Sequence, residues 1–221
     1  QPMLVQSVVT FMTQVNSMKQ LVKEFRDYAR LPSAELKPLD LNSLVVEVLA
    51  LYGSTQEAGI LRAELANGLP NILGDATQLR QVIHNLVQNA LDAVAERTSG
   101  RVRLRTEAAL NEEGGVRAVR LGIIDNGPGF SEKVLKRAFE PYVTTKTKGT
   151  GLGLAVVKKI VDEHAARIRV TNLMADTAAQ AGGGGNPEVK GAQVSISFSK
   201  LAPPHPVLSE STIPAIAGPG S

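Results

Sequence analysis

Asparagine, aspartate and glycine residues stand at spacings that suit ligand binding in three stretches of this 221-residue chain. In the first stretch, Asn85 and Asn89 interrupt an apolar run four residues apart, so on a helix they share one face. Amide oxygens are hard ligands that suit Mg²⁺, a cation that keeps several waters and shares phosphate oxygens. Two asparagines that hydrogen-bond to neighbouring loops would look the same, so this helix alone leaves both interpretations open.

The second stretch is residues 125–130, Asp-Asn-Gly-Pro-Gly-Phe, directly after a predicted strand. A carboxylate at a strand end, followed by a turn with Gly127 and Gly129, suits a loop that faces a ligand. An ionised carboxylate only accepts hydrogen bonds, so Asp125 could receive the exocyclic amino group of adenine and would repel the carbonyl oxygen of guanine. Taken alone, the segment fits a plain tight turn better.

The third stretch, Lys-Gly-Thr-Gly-Leu-Gly at residues 148–153, opens a predicted helix. Glycines let the backbone approach a ligand, and a helix N-terminus offers free N–H groups to phosphate oxygens. The spacing differs from the dinucleotide fingerprint, and the stretch lacks the Gly-Lys-Ser/Thr ending of a P-loop. Upstream, Phe139 and Lys146 supply a bulky anchor and a cation on a segment that could close as a lid. A glycine-rich hinge is the alternative.

An α+β body must position these stretches, and the pattern predicts a mixed sheet with helices on one face. Asp40 or Asn42 can cap a helix over about 41–58, and Asp75 caps one that runs to about Arg97. A further helix is predicted at 152–164, and a flexible loop with four consecutive glycines at 174–190. The predicted strands are 60–66, 101–105, 119–124, 168–171 and 193–198, with a hairpin turn at 111–115.

The first thirty residues carry an apolar stripe with alternating steps of four and three, the seam spacing of a coiled coil or helix bundle. One helix cannot bury such a stripe, so a second copy or an upstream helix is the predicted partner; a helix folded back on its own domain is the alternative. Pro32 ends this helix. The seam residues are Leu4, Val8, Phe11, Val15, Met18, Val22, Phe25 and Ala29.

Composition excludes some classes of function. The chain has no cysteine, which excludes a disulfide framework and thiolate metal sites, and its net charge of +3 does not require nucleic acid as a partner. No apolar run approaches the roughly 20 residues of a membrane span. Since the chain begins with Gln1, we expect it to be part of a longer protein.

The order of the motifs within about seventy residues is more specific than any one of them. Over residues 40–199 it resembles the catalytic and ATP-binding domain of sensor histidine kinases, in the superfamily of gyrase, Hsp90, histidine kinases and MutL. In family terms the asparagine helix is the N box, and residues 125–129, 139–142 and 149–153 are the G1, F and G2 boxes. The resemblance implies the two-layer α/β sandwich of the Bergerat ATP-binding fold, preceded by one long helix of a dimerisation bundle. The expected domains are 1–31 (incomplete bundle), 32–40 (linker), 41–199 (ATP-binding domain) and 200–221 (proline-rich, disordered tail).

The resemblance also implies ATP and Mg²⁺ as ligands. Asn89 would bind Mg²⁺, Asn85 would support the phosphates, Asp125 would read adenine, and Lys146 would neutralise charge, so that Asn85 and Lys146 count as catalytic. Catalysis would consist mostly of positioning and charge neutralisation. The other implied nucleotide contacts are Gly127, Gly129, Phe139, Thr145, Gly149, Thr150, Gly151, Leu152 and Gly153.

One substitution bears on the reaction. Superfamily members that hydrolyse ATP, such as gyrase, have a glutamate four residues before the metal-binding asparagine, where it acts as general base. Asn85 stands there in this chain and cannot act as a base, which favours phosphoryl transfer to a protein group. An ATPase or serine-kinase relative, and a non-catalytic nucleotide-binding dimerisation module, remain the alternatives.

Residues 22–32 and 40–42 are most similar to nitrogen-regulation sensor kinases of the NtrY type. The family's phosphoacceptor motif, His-Glu/Asp with Asn-Pro shortly after, fits none of His84, His164 and His205, so we expect the acceptor helix upstream of Gln1. The implied partners are a response-regulator receiver domain and a second copy of the kinase, with no nucleic acid. The implied location is cytoplasmic, as part of a sensor anchored in the inner membrane.

Three departures from the family pattern stand out. Many relatives have a Gly-Gly pair directly after the position of His164. This chain has Ala165 and Ala166 there. Asp92 replaces a lysine three residues after the metal asparagine, which puts one phosphate contact in doubt. The loop at 174–190 is longer than usual.

Overall fold

The computed structural model describes residues 30–144, 149–174 and 189–203, together with single positions between 8 and 29. The main sheet has five strands in the order β2-β4-β5-β7-β6, and a separate small sheet pairs β1 with β3. The strands are β1 (Lys37–Leu39), β2 (Leu61–Leu65), β3 (Ile72–Gly74), β4 (Val102–Leu110), β5 (Val116–Asp125), β6 (Arg167–Met174) and β7 (Val189–Phe198). The helices are α1 (Leu41–Leu49), α2 (Gly53–Glu57), α3 (Ala76–Val94), α4 (Glu132–Lys136) and α5 (Gly153–Glu163).

The main sheet is mixed: β2 runs parallel to β4, and the other neighbouring strands are antiparallel. Along β4, Val102 and Leu104 are buried while Arg103 and Arg105 are exposed, so one face of the sheet meets the core and the other meets solvent. Helices α1, α3 and α5 contribute the opposing apolar layer. The predicted α+β class, with a mixed sheet and helices on one face, is confirmed.

The predicted caps and buried faces of the two long helical segments are confirmed as well. Asp40 accepts hydrogen bonds from the N–H groups of Asn42 and Ser43 at the start of α1, and Asp75 does the same for Thr77 and Gln78 at the start of α3. All the predicted core residues of the two segments are buried, including Tyr52, which lies just after α1. They are Leu41, Leu44, Val45, Val48, Leu49, Tyr52, Leu79, Val82, Ile83, Leu86, Val87, Ala90 and Val94.

The prediction of one helix over 41–58 is wrong, because α1 ends at Leu49 and a 3₁₀ turn (Ala50–Tyr52) separates it from α2. The Gln56 side-chain amide donates to the carbonyl of Leu49 at 2.7 Å, a carbonyl that a continuous helix would satisfy from its own backbone. The Tyr52 hydroxyl lies 2.7 Å from Nδ1 of His84 on α3. At the break between α1 and α2, a side-chain hydrogen bond from Gln56 thus takes the place of a backbone hydrogen bond of a continuous helix.

Strands β1 and β3 were not predicted, since three residues are too few to show an alternating pattern. β1 lies within the predicted linker 32–40 and pairs antiparallel with β3, so that Leu39 lies opposite Ile72. The Gln78 side-chain amide donates to the carbonyl of Pro32 at 2.8 Å, and the N–H of Glu35 donates to Asp75 at 3.0 Å. This connecting segment is therefore joined to the body of the domain.

The hairpin strands β4 and β5 extend further than the predicted 101–105 and 119–124, up to the predicted turn, where Asn111 accepts the N–H of Gly115 at 2.7 Å. β6 and β7 also extend into the predicted flexible loop at 174–190, whose residues 175–188 lie outside the described residues. The predicted disordered tail lies mostly outside them too: only residues 200–203 are described, and Leu201 forms a bridge with Ile72.

The described positions of the N-terminal segment are helical, and their apolar stripe is exposed. Phe11 and Met18 are 65% and 68% exposed, and Val15 alone among the described seam positions is partly covered. These positions therefore do not support a helix folded back on its own domain. Among the helices of the described residues, none combines the length and the apolar character needed to cross a membrane.

Ala165 has φ of 50°, in the left-handed region that disfavours a side chain with a Cβ atom. It is exposed and follows α5, so we expect Ala165→Gly to raise the free energy of unfolding by about 0.5–1 kcal/mol, or the Tm by about 1–4 °C. Ala95 ends α3 at φ of −57°, and there Ala95→Gly should lower the stability instead. Urea unfolding measures both changes, and destabilisation by Ala165→Gly would contradict the strain.

Candidate functional site

Asp125 ends β5, and its side chain is only 8% exposed. Its Oδ1 accepts the N–H of Gly127 at 2.8 Å, and the carboxylate also accepts the N–H of Ala192 on β7. Burial raises the pKa of Asp125, while these two N–H bonds and the charge of Arg97 act in the opposite direction. The site therefore holds a buried carboxyl group with an acceptor oxygen at the end of strand β5.

The G1 turn, residues 125–130, is held at its beginning by Asn126 against the start of β4. Its Oδ1 accepts the N–H of Arg101 at 2.7 Å, its Nδ2 donates to the carbonyl of Ser99 at 2.8 Å, and its own N–H donates to the carbonyl of Arg101 at 3.1 Å. Three bonds from one residue fix the chain where it leaves Asp125. Asn126 was quoted in the sequence motif but had no predicted role.

The G1 turn packs directly on the end of α3. A Cβ atom on Gly127 would lie 2.9 Å from the carbonyl oxygen of Ala93, so a glycine is needed for this approach. Asn89 lies one helical turn before Ala93 on the same helix. The turn that begins at Asp125 therefore packs on α3 one helical turn away from Asn89.

Asn89 also lies next to the start of α5. Its Nδ2 is 3.6 Å from the position that a Cβ atom on Gly153 would take. α5 begins after Leu152, which is fully buried and provides no side-chain cap, while Thr150 accepts the N–H of Leu152 at 3.3 Å. The first-turn N–H groups of α5 therefore have no helical acceptor, as at any helix start, and they carry the positive end of the helix dipole.

The F box and the G2 box are interlocked through their backbones. The N–H of Tyr142 donates to the carbonyl of Gly151 at 3.0 Å, and a Cβ atom on Gly151 would lie 2.6 Å from the backbone of Tyr142. Both residues have positive φ, 65° and 71°. Phe139, by contrast, lines a surface cavity of about 490 Å³ with Ala155 and other residues of α5.

The predicted site residues thus fall into three groups. Gly127 meets α3, and Asn89 meets the G2 box, while Asp125 bonds to Gly127 and Ala192 and Asn85 is half-buried on α3 one turn before Asn89. Thr145 and Lys146 lie outside the described residues. The remaining predicted contacts stay predictions, at the G1 turn (Gly129), the F box (Phe139) and the G2 box (Gly149, Thr150, Gly151, Leu152 and Gly153).

Sequence reasoning gave no role to Asn172 or to the buried His164. Asn172 on β6 forms two hydrogen bonds with the backbone of Phe130, although a single polar residue in a strand gives no signal of that contact. His164 Nε2 accepts the N–H of Asp75 at 2.9 Å, and its Nδ1 lies 2.8 Å from the carbonyl of Ile160. His164 is therefore a buried structural residue that joins the end of α5 to the start of α3.

The two aspartates with shifted pKa values should respond to pH in opposite senses. Because the pKa of Asp125 is raised on folding, its ionisation lowers stability as pH rises above about 3.8 through that raised pKa. For Asp75, burial alone would raise the pKa, but the N–H bonds from Glu35, Gln78 and Thr77 outweigh burial and lower it. Ionisation of Asp75 therefore adds stability above about pH 3.8, and this stability is lost when the pH falls through the lowered pKa.

We therefore expect the free energy of unfolding of Asp125→Asn, relative to the unsubstituted chain, to increase between pH 4 and pH 8. For Asp75→Asn the same difference should decrease as pH rises from the lowered pKa toward 4. Urea unfolding at a series of pH values measures both slopes. Slopes of the same sign for the two variants would show that burial does not dominate at Asp125.

Comparison with known proteins gives the same picture. The sequence profile of the family described as histidine kinase-, DNA gyrase B-, and HSP90-like ATPase matches residues 74–201. The putative sensor histidine kinase NtrY-like of Rickettsia felis is 32% identical over 157 residues, which are 71% of this chain and 25% of that protein. The chain thus spans about a quarter of the length of such curated relatives.

Solved histidine kinases share the fold. Full-length ShkA in complex with AMPPNP matches with a TM-score of 0.63 and 27% identity, over 90% of this chain and 40% of ShkA. The histidine kinase ThkA in complex with the response regulator TrrA matches with a TM-score of 0.65 and 25% identity, over 86% of this chain and 49% of ThkA. Because the family profile covers more than half of its residues, this chain belongs to the family of histidine kinase-, DNA gyrase B- and HSP90-like ATPases.

Proposed function

We propose that this chain is the catalytic module of a sensor histidine kinase, which binds Mg-ATP and donates the γ-phosphoryl group to a histidine. The proposal rests on the way α3 joins two binding features: the buried carboxylate of Asp125 near its C-terminal end, and the uncapped start of α5 beside Asn89. A carboxylate selects a base, and a helix N-terminus binds phosphate. The two ends of a nucleotide therefore have complementary partners along one helix.

The residues around Asp125 fit adenine. A carboxylate has about four acceptor sites, and the N–H groups of Gly127 and Ala192 occupy two of them. The remaining capacity suits the exocyclic amino group of adenine, a donor that guanine lacks at that position. Burial strengthens such a bond, because few water molecules compete for a side chain that is 8% exposed.

The residues around Asn89 fit phosphate groups and a hard cation. Asn89 supplies an amide oxygen, and α5 supplies first-turn N–H groups beside Gly153. Mg²⁺ bound by Asn89 would neutralise phosphate charge during transfer. Gly151 and Gly153 let the backbone come close, and Lys146, which lies outside the described residues, is proposed to add a positive charge.

Phosphoryl transfer fits this site better than hydrolysis. Asn85 occupies the position of the general base in ATP-hydrolysing relatives, and an amide cannot take a proton from water. In the proposed step a histidine ring nitrogen forms a bond to the γ-phosphorus while the bond to the bridging oxygen breaks, which yields phosphohistidine and ADP. Similar proteins such as that of Rickettsia felis carry the name sensor histidine kinase.

The accepting histidine is proposed to lie outside these 221 residues. His164 is buried with both ring nitrogens engaged, and His84 bonds to the hydroxyl of Tyr52. His205 lies in the proline-rich tail, without the family's acceptor motif. A helix bundle that carries the acceptor would cover the exposed stripe of the N-terminal segment and pair it with a second copy of the kinase.

The downstream partner is proposed to be the receiver domain of a response regulator, because the similar kinase ThkA forms a complex with a response regulator. The similarity to a protein named nitrogen regulation protein NtrY favours nitrogen regulation as the signalling context. Such a module would act in the cytoplasm as part of a membrane-anchored sensor. We propose no nucleic-acid partner, since phosphotransfer between proteins accounts for the site.

Transfer in trans tests the proposed function. Incubated with Mg-ATP and a separate helix bundle that bears the upstream histidine, the chain should place acid-labile phosphate on the bundle and none on itself. Asp125→Asn should weaken ATP binding at least about ten-fold by calorimetry and slow transfer accordingly. Asp40→Asn, which keeps the cap of α1, is the control. Phosphohistidine on this chain, or rapid ATP turnover without the bundle, would favour the ATPase alternative or another acceptor.

The exposed stripe gives a second expectation. The chain should self-associate with increasing concentration, and Met18→Glu with Val22→Glu should weaken association at least about ten-fold, because each buried apolar side chain contributes about 1.5–3 kcal/mol. Lys19→Glu changes a charge at the next position and is the matched control. Analytical ultracentrifugation measures the association, and equal association of all variants would argue against a bundle built on this face.

A further inference from the structure

Asn172 forms two hydrogen bonds with the backbone of one residue in the G1 turn. Its Oδ1 accepts the N–H of Phe130 at 2.8 Å, and its Nδ2 donates to the carbonyl of Phe130 at 2.7 Å. The side-chain amide thus pairs with Phe130 as a neighbouring strand would. Only an amide of this length offers a donor and an acceptor side by side.

The location of this pair connects it to Asp125. In the main sheet Ala192 on β7 lies between Asp125 on β5 and Asn172 on β6, in one row across three strands. The N–H of Ala192 bonds to the carboxylate of Asp125 on one side of that row. The G1 turn leaves β5 at Asp125, passes over the end of β7 and returns to the sheet where Phe130 meets Asn172.

Two glycines make this passage possible. Gly191 lies against the backbone of Asp125, where a Cβ atom would overlap the carbonyl oxygen. Gly129 has φ of 72°, and a Cβ atom there would lie 2.8 Å from Oδ1 of Asn172. The turn is therefore seated closely on the strand ends, with Asn126 holding its beginning and Asn172 holding its end.

Phe130 also marks the point where the turn passes to the next element. Ser131 caps α4 through the N–H of Val134, and the F box follows α4. A bond to the carbonyl and the N–H of Phe130 therefore fixes both the exit of the G1 turn and the entry of the segment that leads to the F box. Loss of those two bonds removes the side-chain hydrogen bonds of Asn172 that hold this end of the turn.

We propose that Asn172 is a positioning residue for the nucleotide base, which acts through Phe130 to keep the G1 turn and the Asp125 carboxylate in their binding geometry. This inference rests on the proposed ATP-binding function. Asn172 itself makes no contact with the base in this proposal. Its contribution is pre-organisation: the two bonds remove the freedom that the turn would otherwise lose on binding.

Calorimetric titration of ATP and of adenosine tests the role. Asn172→Ala should weaken both ligands by the same factor of about ten, because the loss lies at the base end. Asn172→Asp keeps the acceptor for the Phe130 N–H but loses the donor, so it should weaken both ligands by about three-fold or more. Asn111→Ala removes a similar side-chain bond, to Gly115 in the remote hairpin turn, and should change affinity by less than about two-fold.

Thermal unfolding separates positioning from stability. If Asn172→Ala lowers the Tm but binds ATP and adenosine as the unsubstituted chain does, Asn172 has a structural role only and the proposal is overturned. If Asn172→Ala does not fold, Asn172→Asp is judged by the same criterion. Absence of ATP binding by the unsubstituted chain would instead overturn the proposed function, and this inference with it, so the two failures are distinguishable.

Discussion

The proposed nucleotide site depends on keeping one carboxylate charged while it is buried. Asp125 must be ionised to act only as an acceptor, yet burial raises its pKa and so favours the neutral form. The N–H groups of Gly127 and Ala192 oppose that shift, and each requires the backbone to come unusually close. Glycine at positions 127 and 191 and the register of β5 with β7 make this close approach possible.

The second constraint is the fixed distance between the base end and the phosphate end. α3 carries Asn89 and touches the G1 turn at Ala93, so it acts as the common support of both ends. Its start is tied to the end of α5 by His164, which accepts the N–H of Asp75. A helix fixed at its start and packed along its length cannot shift one end of the site without the other.

The sequence was sufficient to predict features that depend on a repeated apolar pattern or on the residue type at the end of an element. The caps at Asp40 and Asp75, the buried faces of α1 and α3 and the hairpin between β4 and β5 follow from periodicity and turn chemistry, and the motif order indicated the family. Features that rest on one tertiary contact were not predictable. The break after Leu49 depends on the Gln56 side chain, and the role of Asn172 depends on a turn 42 residues away in sequence. No local pattern carries such information.

The two ends of the site differ in how they are built, and the difference has a physical reason. In the proposed site the base end would need a fixed geometry, because a neutral ring is selected by the direction of a few hydrogen bonds, and misplaced donors or acceptors cost more than they contribute. The phosphate end needs positive potential more than direction. Asp92, which accepts a hydrogen bond from Gln88, supplies none, so in the proposed site the start of α5 would carry more of that task. A helix dipole acts in the first turn only. In the proposed site, the closeness of Asn89 to Gly153 would let Asn89 and the start of α5 contact the phosphates together.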